Sequence, residues 1–297
     1  SRKLISRCTH IVTPETTSLF LKRILGLYSQ KFIFIPHGAG DRSVGFRKDA
    51  REFDLILVSG QKTRKRFIED AGVPADRIKI IGYPKFDAFF KRDCEAKLLF
   101  PEKRPIVLYN PHFDPNLSSW YYRGLEVLEY FANSKDYNLI FAPHIMLFKK
   151  RVHASVEHGK KAIRKDIPAK YYKCSNIHID VDSDNLVDMT YTKMADIYMG
   201  DVSSQIYEFI YLPRPAVFLC NDHLTNWEGD PNFRHWNFGP VLMNGHSLTE
   251  ILSFARNNLE KMYKPCQEKA FLDTFDNVDG NSSFKAAQQI IEFVSSY

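Results

Sequence analysis

The sequence predicts an α/β protein in two halves with mostly parallel sheets, and three observations carry that expectation. Short apolar runs alternate with amphipathic stretches along the whole chain. Each run is nearly uninterrupted, as strands buried on both faces are, and turn residues follow it before the next helix-like stretch. In the first half the expected strands are His10-Ile11-Val12, Phe32-Ile33-Phe34-Ile35, Leu55-Ile56-Leu57-Val58 and Ile78-Lys79-Ile80-Ile81, all rich in β-branched or aromatic residues. In the second half they are Ile106-Val107-Leu108-Tyr109, Asn138-Leu139-Ile140-Phe141, Ile197-Tyr198-Met199 and Ala216-Val217-Phe218-Leu219, with a helix expected over 205–212. The stretch Glu95 to Pro105, charged and with two prolines, reads as a linker, which divides the chain into domains 1–100 and 101–297. The last helix of the second is expected to pack back on the first.

Composition narrows the function classes. With 297 residues, 44% hydrophobic and 26% charged, the chain can bury a full core and fits two ordinary domains. A net charge of +6 suits an anionic ligand or an anionic membrane surface, but the basic residues read as dispersed, and nucleic acid is not expected as a partner. Five cysteines without C-x-x-C spacing point to neither a zinc site nor a disulfide framework, and a reducing cytoplasm is the expected home. No apolar stretch reaches the ~20 residues a membrane span needs, so the protein is expected to be soluble or peripheral on the inner face of the membrane. The abrupt start at Ser1-Arg2-Lys3-Leu4-Ile5 reads as a piece of a longer polypeptide.

In open α/β sheets ligands bind at the C-terminal ends of strands, so the loops after the strands carry the functional reading. Gly200-Asp201-Val202-Ser203-Ser204 ends a strand at a helix start, where backbone N–H groups, the helix dipole and two hydroxyls would converge on a phosphate; a helix cap without a ligand explains the same residues. Pro36-His37-Gly38-Ala39-Gly40-Asp41-Arg42 puts an imidazole at a strand end with glycines behind it, which suits a general base or simply a tight turn. Gly82-Tyr83-Pro84-Lys85-Phe86-Asp87 reads as a structural turn in which Asp87 caps the following helix. Ala142-Pro143-His144 places a second imidazole where it could donate to phosphate oxygens.

Asn110-Pro111-His112-Phe113-Asp114 reads as a turn with an incidental histidine, since two potential ligands in one loop make a thin metal site. Arg42, Arg47, Lys48 and Arg51 form a basic group that suits a polyanionic acceptor or a membrane surface, or a solvated face. Trp227 to Asn232 reads as a flexible lid. No Gly-rich nucleotide fingerprint is present, which weakens dehydrogenase and P-loop readings.

Taken in order, His37-Gly38, Gly82-Tyr83-Pro84 with Asp87, Asn110 to Asp114, Pro143-His144, Asp201-Val202-Ser203-Ser204, Pro213-Arg214-Pro215 and Asp279-Gly280-Asn281-Ser282-Ser283 resemble the CDP-glycerol glycerophosphotransferases of teichoic acid and capsule synthesis. The chain departs from that pattern at Ala39-Gly40, where the family has Thr-Pro, at Val202 for Tyr, at Pro143 before the histidine, and at His112-Phe113-Asp114 for Thr-x-Arg.

The resemblance implies a GT-B-like fold of two Rossmann-like domains facing across a cleft. It implies transfer of a phospho-polyol, glycerol phosphate first, from a CDP-linked donor to a hydroxyl of a glycan or lipid-linked acceptor. His37 would then be the base; His144, Gly38, Ser203 and Ser204 would serve the diphosphate, with Asp201 in the same group orienting the serine loop or a neighbouring basic residue; and Glu208 would meet a ribose hydroxyl unless it lies on a solvated helix face. Arg42, Asn110, His112 and Asp114 remain acceptor or loop candidates, with no metal and no cofactor expected. A sugar transferase or nucleotide-sugar 2-epimerase, and a non-catalytic domain of a larger protein, are the alternative readings.

Overall fold

The computed structural model describes residues 5, 7–90, 99–155, 157–220, 226–243, 246–276 and 278–296. The chain forms two compact units, one made of residues 1–91 with 270–297 and the other of residues 92–269.

In the first unit, β1 (His10–Thr13), β2 (Lys31–Phe34), β3 (Leu55–Val58) and β4 (Ile78–Ile80) lie side by side in that order, and all pair in parallel. β3 is buried at every position, which is why its sequence does not alternate. The crossovers are α1 (Ser18–Leu25), which ends at Gly26 in the left-handed region (φ 65°), and α2 (Gln61–Glu69). Phe34 stacks on Phe53 at 4.7 Å, and Phe67 meets Phe34 edge-on, so aromatic rings fill one face of this sheet.

The second unit is built on β5 (Ile106–Asn110), β6 (Asn138–Phe141), β9 (Ile177–Ile179), β10 (Ile197–Gly200), β11 (Ala216–Leu219) and β12 (Val241–Leu242). Their order is β12-β11-β10-β5-β6-β9, all parallel, with Tyr109 opposite Met199 on one side and Phe141 on the other. Strand order reverses between β5 and β10, so their C-terminal ends open a crevice in which loops can converge. An antiparallel hairpin, β7 (Val152–Ser155) with β8 (Lys160–Ile163), follows β6. β9 and β12 are short and hold few apolar residues, so periodicity did not reveal them.

The remaining helices are α3 (Pro84–Phe89), α4 (Trp120–Asn133), α5 (Thr190–Met194), α6 (Gln205–Phe209), α7 (Leu248–Asn257), α8 (Lys264–Thr274) and α9 (Ser282–Ser295). α7 starts with a complete capping box between Ser247 and Glu250.

The division read at 100/101 differs from the folded units at both ends. Residues 95–98 of the expected linker lie outside the described residues, and 270–297 join the first unit rather than the second. The physical reason is Asp87. It lies inside α3 and so does not cap the helix that follows its turn; its carboxylate accepts the Ser282 and Ser283 N–H groups at 3.2 and 2.6 Å, at the start of α9. Phe86 also packs edge-on against Phe271 and Phe275.

Candidate functional site

His37 stands at the C-terminal end of β2 and is exposed. Its Nδ1 lies 3.3 Å from the Pro14 carbonyl and 3.2 Å from a Glu15 carboxylate oxygen. Both neighbours only accept, so Nδ1 carries the proton and the neutral ring holds its lone pair on Nε2, the form a base needs. The backbone of the loop is tied down: the Tyr83 hydroxyl donates to the His37 carbonyl at 3.2 Å, and Lys62 donates to the Ala39 carbonyl at 2.8 Å and to the Asp41 carboxylate at 3.3 Å. The Gly-Tyr-Pro turn thus acts on the histidine through Tyr83. Gly82 in that turn has φ 83°, and a Cβ there would sit 2.5 Å from the Ser282 hydroxyl, so glycine is required.

Gly38 is half-buried beside His37, and Arg42 is half-buried where a 3-10 turn, Ser43–Gly45, begins. Of the basic group, Arg47, Lys48 and Arg51 are exposed, and Arg51 donates to the Ala71 carbonyl at 2.7 Å. Glu15 and Lys62 were not singled out in the sequence, because their partners lie 22 and 23 residues away.

In the second unit the loops after β5, β10 and β11 meet around Asp201, which is fully buried. One carboxylate oxygen accepts the His112 and Val202 N–H groups at 2.8 and 2.7 Å; the other accepts the Ser119 N–H at 2.6 Å and its hydroxyl at 2.8 Å. Its carbonyl accepts from Trp236 Nε1 at 2.8 Å and His235 Nε2 at 3.1 Å. Burial pushes the Asp201 carboxyl up to about 6, against the pull of these hydrogen bonds.

Asp201 is therefore a bracket that holds the site, not a ligand-facing group. It also occupies the N-terminus of α4, a helix of 14 residues, where an external anion would otherwise be favoured. The helix that follows Ser204 has only five residues and contributes little dipole. Ser203 and Ser204 are half-buried; the Ser203 hydroxyl accepts the Gln205 N–H at 3.2 Å, and Ser204 makes no capping bond with its side chain.

Asn110 is likewise structural, donating to the Ala142 carbonyl at 2.7 Å and accepting from the Tyr198 hydroxyl at 3.2 Å, so it laces β5, β6 and β10 together. Asp114 closes its own turn onto the Asn116 N–H at 2.8 Å. Glu208 is 2% exposed, which overturns the solvated-face reading. The expected lid is instead a capped turn: the Asp230 side chain accepts the Asn232 N–H at 2.8 Å, Trp227 packs on Trp236 at 5.3 Å, and the 3-10 segment Pro231–Phe238 ends on Asp201.

The pairing that the sequence did not disclose is His112 with His144. Their rings are 5.2 Å apart, and Phe113 stacks on His112 at 4.5 Å and packs on His144 at 4.7 Å. The Asp114 N–H donates to His112 Nδ1 at 3.0 Å, and the Met146 N–H donates to His144 Nδ1 at 3.2 Å. Each Nδ1 is thus an acceptor, and each neutral ring carries its proton on Nε2, the opposite of His37. His112 keeps its place in the turn, through the Asp114 N–H, and with His144 it puts two N–H donors of the same tautomer at the ends of adjacent strands. Among the described residues no group of three His, Cys, Asp or Glu could hold a metal ion.

The model of the family described as CDP-Glycerol:Poly(glycerophosphate) glycerophosphotransferase matches residues 36–294. The chain belongs to that family. Among curated relatives it is 24% identical over 276 residues to a teichoic acid poly(ribitol-phosphate) polymerase of Bacillus spizizenii, covering 87% of this chain and 40% of that protein. It is 23% identical over 199 residues to a teichoic acid glycerol-phosphate primase of the same organism, covering 60% and 43%. The chain therefore spans less than half the length of these two relatives of the glycerophosphotransferase family. Among solved structures, the wall teichoic acid polymerase TagF matches with a TM-score of 0.60 at 20% identity over 97% of this chain and 73% of that one. That likeness is one of fold, α/β with mostly parallel sheets.

Proposed function

We propose that this chain transfers a polyol phosphate, glycerol phosphate first, from a CDP-linked donor to a hydroxyl of a glycan or lipid-linked acceptor. The observation that carries the reading is the contrast of tautomers: His37 offers a lone pair on Nε2, whereas His112 and His144 offer N–H. In a phosphoryl transfer one imidazole takes a proton while others steady anionic oxygens, and the tautomers of these rings support that division of roles.

In the proposed reaction the acceptor oxygen attacks the donor's β-phosphorus and its proton passes to His37 Nε2. Glu15 and the Pro14 carbonyl hold the ring and steady the imidazolium. The bond from the β-phosphorus to the bridging oxygen breaks, and CMP leaves with that oxygen. His112 and His144 donate to the diphosphate oxygens as charge builds on the leaving group, and the Ser204 hydroxyl is placed to assist. Neither step calls on a cofactor. The family name and the glycerol-phosphate primase support glycerol as the polyol, while the ribitol-phosphate polymerase makes ribitol its rival. No helix among the described residues is long and apolar enough to cross a membrane, and action at the inner membrane face is part of the proposal.

The test is thermal stabilisation by CDP-glycerol, CDP-ribitol, CDP, CMP and UDP-sugars, since a ligand that binds the native state raises its apparent stability. Stabilisation by CDP-glycerol above the others, lost in His144→Ala, is the expected result. Preference for CDP-ribitol would change the polyol. Preference for UDP-sugars would overturn the reading in favour of a sugar transferase or epimerase.

A further inference from the structure

Positive charge on this chain is concentrated, not dispersed as composition had indicated. Residues 149–166 hold seven of the 41 Lys and Arg and two of the 35 Asp and Glu, so five of the six net positive charges fall within 18 residues. They belong to the β7–β8 hairpin and its flanks.

Strand alternation sorts the hairpin into two faces. His153 and Ser155 are buried on the inner face, opposite Ala162 and Lys160. Val152, Ala154, Lys161 and Ile163 are on the outer face, with Lys150, Arg151 and Lys165 exposed at its base. Arg164 differs from these cations in being only 7% exposed. It lies 4.2 Å over the Phe148 ring and donates to the Lys165 carbonyl at 2.9 Å, riveting the base of the ribbon.

The ribbon is rooted beside the paired histidines. His153 Nε2 lies 3.0 Å from the Leu147 carbonyl and 3.0 Å from that of Lys150, and the Leu147 N–H donates to the His144 carbonyl at 2.8 Å. Trp120 Nε1 donates to the Lys165 carbonyl at 3.1 Å, and Phe113 touches both His144 and His153. A ligand held along the hairpin would therefore be registered against the His112–His144 pair.

We propose that this hairpin docks a phosphodiester polyanion, namely the growing polyol-phosphate chain on which the enzyme acts; this rests on the transfer reading above. The chemistry favours that occupant over two others. Its exposed cations are spread, with Lys161 on the outer face of the ribbon and Lys150, Lys165 and Arg151, the last 3.7 Å from Asp166, at its base, and that spread matches a linear, multiply charged ligand better than a single compact diphosphate. A lipid surface would ask for a continuous apolar face, but among the described residues the outer face has Val152 and Ile163 as its large apolar groups, and they pair with each other across the ribbon. Single-stranded nucleic acid would be gripped by rings that stack on bases, and residues 149–166 contain no Phe, Tyr or Trp.

The test measures binding without turnover. Fluorescence anisotropy would follow a labelled poly(glycerol phosphate) oligomer and a labelled single glycerol-phosphate unit, on the wild-type chain and on the combined variant Lys150→Gln, Arg151→Gln, Lys161→Gln, Lys165→Gln. The wild type is expected to prefer the oligomer, with log affinity falling against log salt with a slope of about −3 if four phosphates shed counterions. The variant is expected to lose at least about tenfold in affinity and most of that slope, while its unfolding temperature and its stabilisation by CDP-glycerol stay at wild-type values.

An unchanged slope and affinity in the variant would overturn the proposal. So would loss of binding to phosphatidylglycerol vesicles with oligomer binding intact, which would make the hairpin a membrane contact. Oligomer binding through the hairpin in a protein that no CDP-polyol stabilises would keep the docking site and reject the transfer reading. Stabilisation by CDP-glycerol without oligomer binding would do the reverse.

Discussion

Asp201→Asn is the sharpest probe of the site, because its carboxylate ties the β5–α4 connection to the loop after β10. The wild-type group accepts four hydrogen bonds, three from backbone N–H groups and one from the Ser119 hydroxyl. An asparagine offers one acceptor oxygen, so two donors lose their partner and face an NH₂ group. At about 1–3 kcal/mol for each buried donor left unsatisfied, the cost at pH 7 is about 2–6 kcal/mol.

The pH dependence gives a second, independent number. Burial raises the folded-state value from 3.8 to about 6, so the native state binds more protons than the unfolded chain between those values. This group's contribution is therefore greatest at low pH and is lost as pH rises through the folded value. The wild type gains about 2 kcal/mol relative to the variant on going from pH 7 to pH 4.5. The cost of Asp201→Asn should grow by that amount over the same interval.

All three tryptophans, Trp120, Trp227 and Trp236, lie in the unit 92–269 that contains Asp201, so urea unfolding followed by tryptophan fluorescence reads the right unit. A cost that shrinks on acidification would refute the reasoning, since it would mean that the four donors outweigh burial.

Other substitutions separate the roles assigned above. His37→Ala is expected to cut turnover by about 10²–10⁴-fold while CDP-glycerol still raises the melting temperature; an equal loss of donor binding would count against a base. Because His144 presents its proton on Nε2, His144→Gln should keep more donor affinity than His144→Asn in a titration with CDP-glycerol, and the reverse order would show the tautomer to be misassigned. Asp87→Ala strips the start of α9 of its carboxylate and should cost about 1–2 kcal/mol, seen as faster hydrogen exchange at the Ser282 and Ser283 amides. Turnover should survive EDTA; abolition by the chelator would bring a divalent cation into the mechanism.

Much of the site was legible along the chain because parallel α/β sheets put chemistry just after strands. His37, His144 and the Asp201 loop were found by that rule alone. What each residue does was less legible. Asp87 reads as a cap for its own turn yet caps α9, whose start lies 195 residues away. Glu208 has the look of a solvated helix residue and is buried, as are Ile206, Tyr207 and Phe209 beside it in α6. The hairpin went unread because half its residues face water and its apolar pattern is weak.

The sequence by itself determined the α/β class, the two-part organisation and the loops that carry the histidines, since strand hydrophobicity and turn residues are local properties. Only the tertiary structure decided which histidines share a site and where each holds its proton. Those depend on which acceptor or donor meets Nδ1, and for His37 that partner, Glu15, comes from a loop 22 residues upstream. Tertiary folding likewise showed how far the orienting role expected of Asp201 extends, from its own serine loop to the β5–α4 connection. A buried carboxylate has to be satisfied by whatever donors the chain brings to it, and here two loops bring three N–H groups and a hydroxyl.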